Sequence, residues 1–454
     1  MDQKQAKNGK LALMGAAHSL NHSLFAIAPP LLTLIMSDLG VSNFEISVVS
    51  TIASFAYGFG ALAGGPLGDR IGETKAITLC LVLSGLSTFI MIAAGDLRSI
   101  HVYGLGMFLI AIWASFYHPT ANSLISKTFQ GKIAESMGLH GVGGTAGVVL
   151  TPAIAYLIGM TIGWPYAFVA FGLLCMLLAL VFSRHFKGTV RTGEERGSIL
   201  GVLRIRELWG LLVLNVAIGL FMKGVELFFP TYLRDNRMVD SWGASVSFTL
   251  VLAVGVLGQW LGGRASDAIG PKKVLIATMG GVCLGLISLL LVPIYVVGIA
   301  LFILLYGLSF YAHQPALNYL TGLLSPRNQR GAVYGVFFFT SFGIGSLSQV
   351  MAGYIADAYG LDTSFALLAT FALVALILSF GLSDKQENGQ TSVTKSAPYT
   401  EAPTEAHHTP LQRRTERTES PRTLYIPQQI PETLTNRPPH SNKWQRDYQG
   451  DLSR

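Results

Sequence analysis

The chain has 454 residues, of which 51% are hydrophobic and only 13% are charged, and its mean hydropathy is +0.48. Soluble domains carry roughly 25% charged residues, so this composition excludes a water-soluble globular fold and indicates an integral membrane protein. The net charge of +7 could suggest a nucleic-acid partner, but the basic residues cluster in loops between apolar segments and therefore report membrane topology.

Apolar segments of about 20 residues or more can cross a hydrocarbon layer of about 30 Å as helices. Hydropathy predicts twelve such helices, centred on residues 11–36, 45–68, 75–95, 101–126, 136–160, 165–183, 207–232, 244–266, 273–296, 298–324, 331–357 and 363–382. The predicted fold class is therefore an all-α membrane protein with twelve transmembrane helices.

The distribution of Lys and Arg over the loops predicts the orientation. The loops on the side of the N-terminal segment hold 18 of them, whereas the opposite loops hold three, namely Arg98, Arg234 and Arg237. Cytoplasmic loops carry the excess of basic residues. The sequence thus predicts a multi-pass protein of an inner or plasma membrane with both termini in the cytoplasm.

The chain divides into four predicted regions. An N-terminal six-helix half (1–183) is joined by a basic cytoplasmic linker (184–206) to a C-terminal six-helix half (207–383). The tail (384–454) holds 8 of the 19 prolines with many polar residues. Such a composition buries too little apolar area to fold alone, so we expect a disordered cytoplasmic tail.

The two halves repeat each other in sequence. Three residues after the second helix recur 198 positions later after the eighth: Gly65, Asp69 and Gly72 correspond to Gly263, Asp267 and Gly270. Pro119 and Asn122 of the fourth helix recur 196 positions later as Pro315 and Asn318 of the tenth. Repeated halves are common in secondary transporters, whose solute site lies between them near the bilayer midplane.

The segment 64–75, Gly-Gly-Pro-Leu-Gly-Asp-Arg-Ile-Gly-Glu-Thr-Lys, resembles the signature loop of the major facilitator superfamily, and segment 263–273 resembles its second copy. This resemblance implies two pseudo-symmetric six-helix halves with helices 1, 4, 7 and 10 around a cavity. It also implies loops that switch conformation, built from Gly65, Asp69, Arg70, Gly72, Gly263, Asp267 and Gly270. The two aspartates can accept hydrogen bonds from backbone amides at a neighbouring helix N-terminus, and those bonds must break when the halves rock.

Three further segments resemble the fosmidomycin-resistance type of efflux carrier: His-Ser-Leu-Asn-His at 18–22, Phe-Tyr-His-Pro-Thr-Ala-Asn at 116–122, and the glycine-rich stretch 138–147 followed by Pro152. This resemblance implies export of a drug-like compound. Thr151 stands where glycine is usual in the antiporter-associated pattern of the fifth helix, so the direction of transport stays open.

Ionisable groups at membrane depth are costly and are therefore candidate functional residues. His18 and His22 are four residues apart and share one face of the first helix. Imidazole titrates near neutral pH, which favours a proton relay or a solute contact; the alternative is a hydrogen-bonded packing role. Two histidines without further obvious ligands do not predict a metal site.

The seventh helix carries Lys223 and Glu226, whose spacing of three residues lets them approach each other on one face. Glu226 could carry a coupled proton while Lys223 holds its charge or binds an anionic solute; the alternative is a static ion pair. Pro30 and Pro230 are expected to end comparable stretches of the first and seventh helices, which places His22 and Lys223 at similar depths.

Polar residues flank the prolines of the fourth and tenth helices. His118 and Asn122 lie beside Pro119, and Gln314 and Asn318 lie beside Pro315. A proline frees a backbone carbonyl and can kink a helix, so these side chains either bind solute or satisfy the freed backbone. His140 and His313 are lesser candidates, because close packing could bury either one.

The leading functional hypothesis is secondary active, proton-coupled efflux of a small drug-like or anionic compound by alternating access. The alternatives are a proton-coupled uptake symporter for a nutrient and, more remotely, a membrane receptor or scaffold without transport. No nucleotide-binding loop or catalytic arrangement is evident, so neither an enzyme nor a cofactor is expected. The expected partners are the solute, protons and lipid, with no nucleic acid, and a monomer is expected to function.

Overall fold

The computed structural model describes residues 3–129, 133–186, 198–326 and 329–382. Part of the predicted linker (187–197) and the whole predicted tail lie outside these ranges. Within them the chain is helical, and no strand occurs. The α-helices are α1 (Gln3–Ala26), α2 (Ala28–Leu39), α3 (Asn43–Ile71), α4 (Glu73–Ser87), α5 (Ile90–Asp96), α6 (Ile100–Ala114), α7 (Tyr117–Thr128), α8 (Ile133–Ile162), α9 (Trp164–His185), α10 (Ile199–Leu203), α11 (Trp209–Arg237), α12 (Ser241–Ile269), α13 (Pro271–Leu291), α14 (Tyr295–Leu324), α15 (Arg330–Phe338), α16 (Leu347–Tyr359) and α17 (Leu361–Phe380).

These helices form twelve segments that are long and apolar enough to cross a membrane, numbered here as spans 1 to 12. Their bounds are Asn8–Leu39, Asn43–Gly64, Glu73–Asp96, Ile100–Ile125, Ser136–Ile162, Trp164–His185, Arg206–Arg237, Ser241–Ile269, Pro271–Leu291, Tyr295–Leu324, Ala332–Tyr359 and Leu361–Phe380. Large apolar side chains such as Leu177 and Leu257 remain exposed on the outer faces, as expected for contact with lipid. The predicted fold class is confirmed.

Four spans contain an irregular turn, which in span 3 lies between Ser87 and Ile90. Span 1 is interrupted at Ile27, where two prolines begin α2, and span 4 is interrupted between Ala114 and Tyr117. Span 11 contains a π-helical turn, Phe339–Gly343, followed by a short 3-10 turn. The expectation that Pro30 and Pro230 end their helices is wrong, because α2 continues to Leu39 and α11 runs through Pro230 to Arg237. Neighbouring helices at membrane depth can satisfy the backbone groups that a proline leaves free.

Spans 1–6 and spans 7–12 pack mainly among themselves, and the two sets meet along spans 2 and 11 and along spans 5 and 8. The repeat is visible in the loops. Gly72 follows span 2 with φ of 88°, and Gly270 follows span 8 with φ of 91°. Gly163 and Gly360 likewise have positive φ after spans 5 and 11. Such φ values favour glycine, which explains why these loops keep it in both halves.

Candidate functional site

A cavity of about 2810 Å³ lies between the two halves. Spans 1, 4, 7 and 10 contribute to its wall, as predicted, and so do spans 2, 5, 8 and 11. All eight side chains predicted for a substrate or proton pathway line it: His18, His22, His118, Asn122, Lys223, Glu226, Gln314 and Asn318. Residues more than 290 positions apart in the chain therefore share one cavity.

One end of this cavity is closed by direct contacts between the halves. The carboxylate of Asp357 in span 11 accepts hydrogen bonds from the backbone N–H groups of Asn43 (3.2 Å) and Phe44 (2.8 Å) at the start of span 2. An aspartate at a helix N-terminus also interacts favourably with the helix dipole. Ser245 of span 8 donates its hydroxyl to the carbonyl of Pro152 in span 5 at 3.1 Å.

The cavity extends toward the opposite end of the bundle. There its wall includes Gly322 near the end of span 10, Tyr334 near the start of span 11, and Ser198 just before α10. This end carries the loop between spans 2 and 3 and the connection between the halves, which belong to the predicted basic side. The structure is thus closed on one face and open toward the face with the basic loops.

Close packing of spans 1 and 5 places the first histidine. A Cβ atom added to Gly143 would lie 2.6 Å from the Cα of Gly15, and one added to Gly144 would lie 2.4 Å from the Nδ1 of His18. At Gly147 it would lie 1.3 Å from the hydroxyl oxygen of Ser19. The glycine-rich stretch of span 5 therefore lets the imidazole of His18 lie directly against the backbone of its neighbour.

Four histidines, His18, His22, His118 and His140, form what we call the histidine cluster. The Nε2 atoms of His18 and His22 lie 2.9 Å apart, and the Nδ1 of His18 lies 2.9 Å from the backbone carbonyl oxygen of His140. The rings of His18 and His140 stack with centroids 4.2 Å apart, and the His118 ring lies 5.0 Å from those of both His18 and His22. Spans 1, 4 and 5 therefore meet at one group of imidazoles.

The two charged residues predicted in span 7 form an ion pair on the opposite wall. The Nζ of Lys223 lies 2.6 Å from the Oε2 of Glu226. The Lys223 side chain is only 5% exposed, whereas that of Glu226 is 34% exposed. The Nζ also lies 4.2 Å from the ring centroid of Phe342, which adds a cation–π interaction. Glu226 is thus the member of the pair that solutes and water reach from the cavity.

The irregular part of span 11 connects the cluster with this ion pair. Phe338 stacks on the ring of His118 at 4.8 Å, and Phe342, one turn later, lies over Lys223. Both phenylalanines line the cavity, and their rings lie 5.8 Å apart. A rearrangement of this span would therefore change the surroundings of His118 and Lys223 together. Sequence reasoning missed this element, because hydropathy does not distinguish an α-helical turn from a π-helical one.

Two buried asparagines, also missed from the sequence, satisfy carbonyls at the irregular turns. Asn21 donates its side-chain amide to the carbonyl of Ala114, where α6 ends, at 2.9 Å. Asn215 donates to the carbonyl of Phe337, just before the π-helical turn, at 2.8 Å. An amide that donates to a carbonyl at such a turn offsets part of the cost of interrupting a helix at membrane depth. His313, a lesser candidate, is buried with its Nδ1 against the carbonyl of Phe310 and lies outside the cluster.

The predicted switch loops are described only in part. The surroundings of Gly65 and the side chain of Asp69 lie outside the described part of the chain, whereas Arg70 is exposed. Asp267 is exposed as well, and no hydrogen bond joins it to a neighbouring helix N-terminus within the described ranges. Among the described residues Asp267 thus has no such partner, and its predicted bond to a helix N-terminus stays a prediction.

A buried ion pair supports the first switch loop. Glu73, 3% exposed at the start of α4, accepts a hydrogen bond from the Ser123 hydroxyl at 2.9 Å and pairs with Lys127. This pair ties the loop to the end of span 4. Sequence reasoning missed it because Lys127 was counted only as a loop charge; the position of Glu73 within the signature segment was the available signal.

Comparisons with known proteins agree with this architecture. A sequence model of the Major Facilitator Superfamily matches residues 11–349. The fosmidomycin resistance protein of Escherichia coli (strain K12) is 24% identical over 384 residues, which cover 82% of this chain and 92% of that protein. A probable sulfoacetate transporter of Cupriavidus necator is 23% identical, and the match covers 82% of this chain and 93% of that protein. The multidrug efflux pump Tap of Mycobacterium tuberculosis (strain H37Rv) is 24% identical, and the match covers 72% of this chain and 82% of that protein.

Solved structures show the same fold at low sequence identity. A bacterial homolog of the human lysosomal transporter Spinster, in an inward-facing and unoccupied conformation, superposes with a TM-score of 0.70 at 16% identity, covering 85% of this chain and 99% of that one. The nucleoside transporter NupG superposes with a TM-score of 0.70 at 14% identity, covering 82% and 99%.

Proposed function

The chain belongs to the Major Facilitator Superfamily, and we propose that it carries a small organic anion across its membrane by alternating access, coupled to protons. The charge of the cavity wall carries this proposal. Among the described residues that line the cavity, the only formally charged side chains are Lys223 and Glu226, which neutralise each other. The remaining ionisable groups there include histidines, which are neutral or positive. The wall is therefore neutral with Glu226 ionised and positive with Glu226 protonated.

This arrangement links proton binding to anion binding. With Glu226 ionised, Lys223 is held in an ion pair and an approaching anion meets a carboxylate. Protonation of Glu226 removes that repulsion and releases the charge of Lys223 for the solute. By thermodynamic linkage, a bound anion and a bound proton then favour each other to the same extent. Glu226 is the proposed proton site because its side chain is the more exposed member of the pair.

Linkage of this sign favours movement of anion and proton in the same direction. It supports uptake more strongly than efflux, in contrast to the leading expectation from sequence. Proton-coupled efflux of a drug-like compound is the second candidate, supported by the names of the fosmidomycin resistance protein and the efflux pump Tap. The probable sulfoacetate transporter, named for an organic acid, supports an anionic solute.

The histidine cluster and the conformation complete the proposal. His22 and His118 lie on the wall of the other half, where an imidazole can donate to an anionic oxygen or relay a proton. With the basic loops in the cytoplasm, the cavity opens to the cytoplasm. Both walls of the cavity come from one chain, so we propose that a monomer is the transporting unit.

Flux into vesicles tests the proposal. The purified protein is reconstituted, and uptake of labelled organic anions, cations and neutral compounds is measured with and without an imposed pH gradient. We expect accumulation of an anion that disappears when the gradient is collapsed. If only cations moved, always in exchange for protons, the anion proposal would be wrong and the protein would be a cation–proton exchanger. Absence of any flux would favour the receptor or scaffold alternative.

A further inference from the structure

The histidine cluster brings together the ring nitrogens that a transition-metal site needs. One ring nitrogen from each of His18, His22 and His118 lies within 4.8 Å of the other two. Imidazole nitrogen is a preferred ligand of zinc, copper and nickel. We propose that these three side chains bind one divalent transition-metal ion on the cavity wall.

The hydrogen bond of His18 prepares it to act as a ligand. Its Nδ1 lies 2.9 Å from the carbonyl oxygen of His140, and a carbonyl oxygen can only accept, so this nitrogen carries the hydrogen. In a neutral imidazole the Nε2 then has a free lone pair. Metal-bound histidines have the same arrangement, in which the second nitrogen donates to a carbonyl or carboxylate and fixes the ring. Close contact with Gly144 restricts the ring further.

The spacing of the other two ligands requires only small movements. A tetrahedral ion with metal–nitrogen distances of about 2.0–2.1 Å separates its ligand nitrogens by roughly 3.4 Å. The Nε2 atoms of His18 and His22 are 2.9 Å apart, so the metal would replace the hydrogen they share and open this distance slightly. The His118 nitrogen, within 4.8 Å, would approach by a change of side-chain torsion angles.

An independent observation at His118 indicates that the histidine cluster has an unused ligand atom. Its side chain is buried (7% exposed), and its Nε2 has no hydrogen-bond partner among the described residues. Buried polar atoms without a partner are uncommon. His118 is 96 positions from His22 in the chain, which is why the sequence showed two ligands rather than three.

Three histidines leave one tetrahedral position open, as in catalytic rather than structural zinc sites. All three ligands line the cavity, so the open position is accessible from it. Water or an oxygen of a solute can occupy it. The metal site does not depend on the proposed coupling at Glu226, which lies on the other half.

Titration of the purified full-length protein with Co²⁺, followed by visible absorption, tests the site. We expect tetrahedral absorption bands that saturate at one Co²⁺ per chain and that Zn²⁺ displaces. The variants His22→Ala and His118→Ala each remove one of three ligands and should weaken this binding by more than about 100-fold, beyond the loss typical of a supporting residue. Size-exclusion elution of each variant checks that it is folded.

Two controls separate this site from other histidines. His313→Ala removes a buried imidazole that lines the same cavity outside the cluster, and it should leave Co²⁺ affinity unchanged. The double variant His407→Ala/His408→Ala removes the histidine pair of the tail and should also retain the tetrahedral bands. Wild-type Co²⁺ affinity in a folded His118→Ala variant would overturn the proposal, as would loss of the bands in the tail variant.

Discussion

The substitution Glu226→Gln tests the coupling mechanism, because glutamine imitates the protonated side chain and cannot release a proton. Its amide oxygen can still accept from the Nζ of Lys223, which lies 2.6 Å from the native carboxylate, and the Phe342 ring still covers the ammonium group. The variant is therefore expected to fold. The anion should bind more tightly at neutral pH, and its binding should no longer respond to the protonation of this residue.

The magnitude follows from the charge that is removed. A solute anion held by Lys223 would lie about 5 Å from the Glu226 carboxylate, and at an effective dielectric constant of about 20 the repulsion is roughly 3 kcal/mol. Glu226 is about one-third exposed to a hydrated cavity, which lowers the expected range to roughly 1–3 kcal/mol. This corresponds to an affinity gain of about 5- to 150-fold.

The assay combines equilibrium binding of the transported anion with flux in vesicles. Glu226→Gln should exchange labelled for unlabelled anion but should not accumulate it in response to a pH gradient. Glu207→Gln, which alters an exposed glutamate away from the cavity, serves as the matched control and should behave as wild type. Gradient-driven accumulation with unaltered proton stoichiometry in Glu226→Gln would refute the role assigned to this residue.

Three further substitutions probe other parts of the site. Lys223→Ala should lower anion affinity by about 10-fold or more without affecting a neutral solute, as measured by equilibrium binding; equal losses for both would point to a packing defect. Asp357→Ala removes the bonds to the N-terminus of span 2 and should increase the labelling of an Asn43→Cys variant by a thiol reagent. Unchanged labelling would contradict the assignment of this closed face. Gly144→Ala should displace the His18 ring and destabilise the protein by about 1–3 kcal/mol, measured by thermal unfolding; a wild-type unfolding temperature would show that the contact is not restrictive.

Local patterns in the sequence predicted the fold well. Twelve apolar segments and the paired loop motifs define the spans, because hydropathy and glycine conformation are properties of short stretches. The approach of Lys223 and Glu226 was also predictable, since a spacing of three residues on a helix brings side chains together.

Long-range packing accounts for what the sequence did not predict. His118 and His140 lie next to the histidines of span 1 because of the way in which spans 1, 4 and 5 pack. Asp357 showed no sign of its role, because its partners, two backbone amides and the side-chain amide of Asn43, lie more than 300 positions away. Hydropathy also predicts continuous helices and cannot place the π-helical turn of span 11.

The sign of coupling between proton and solute tests the central claim most directly. The pH gradient across wild-type vesicles is set in each direction in turn, and the net flux of the transported anion is followed. Because the sign of coupling does not depend on how the protein is inserted, random reconstitution is acceptable. We predict that the anion moves toward the alkaline side in both experiments, together with protons. Movement toward the acidic side would show exchange of solute for protons and would contradict the mechanism built on Lys223 and Glu226.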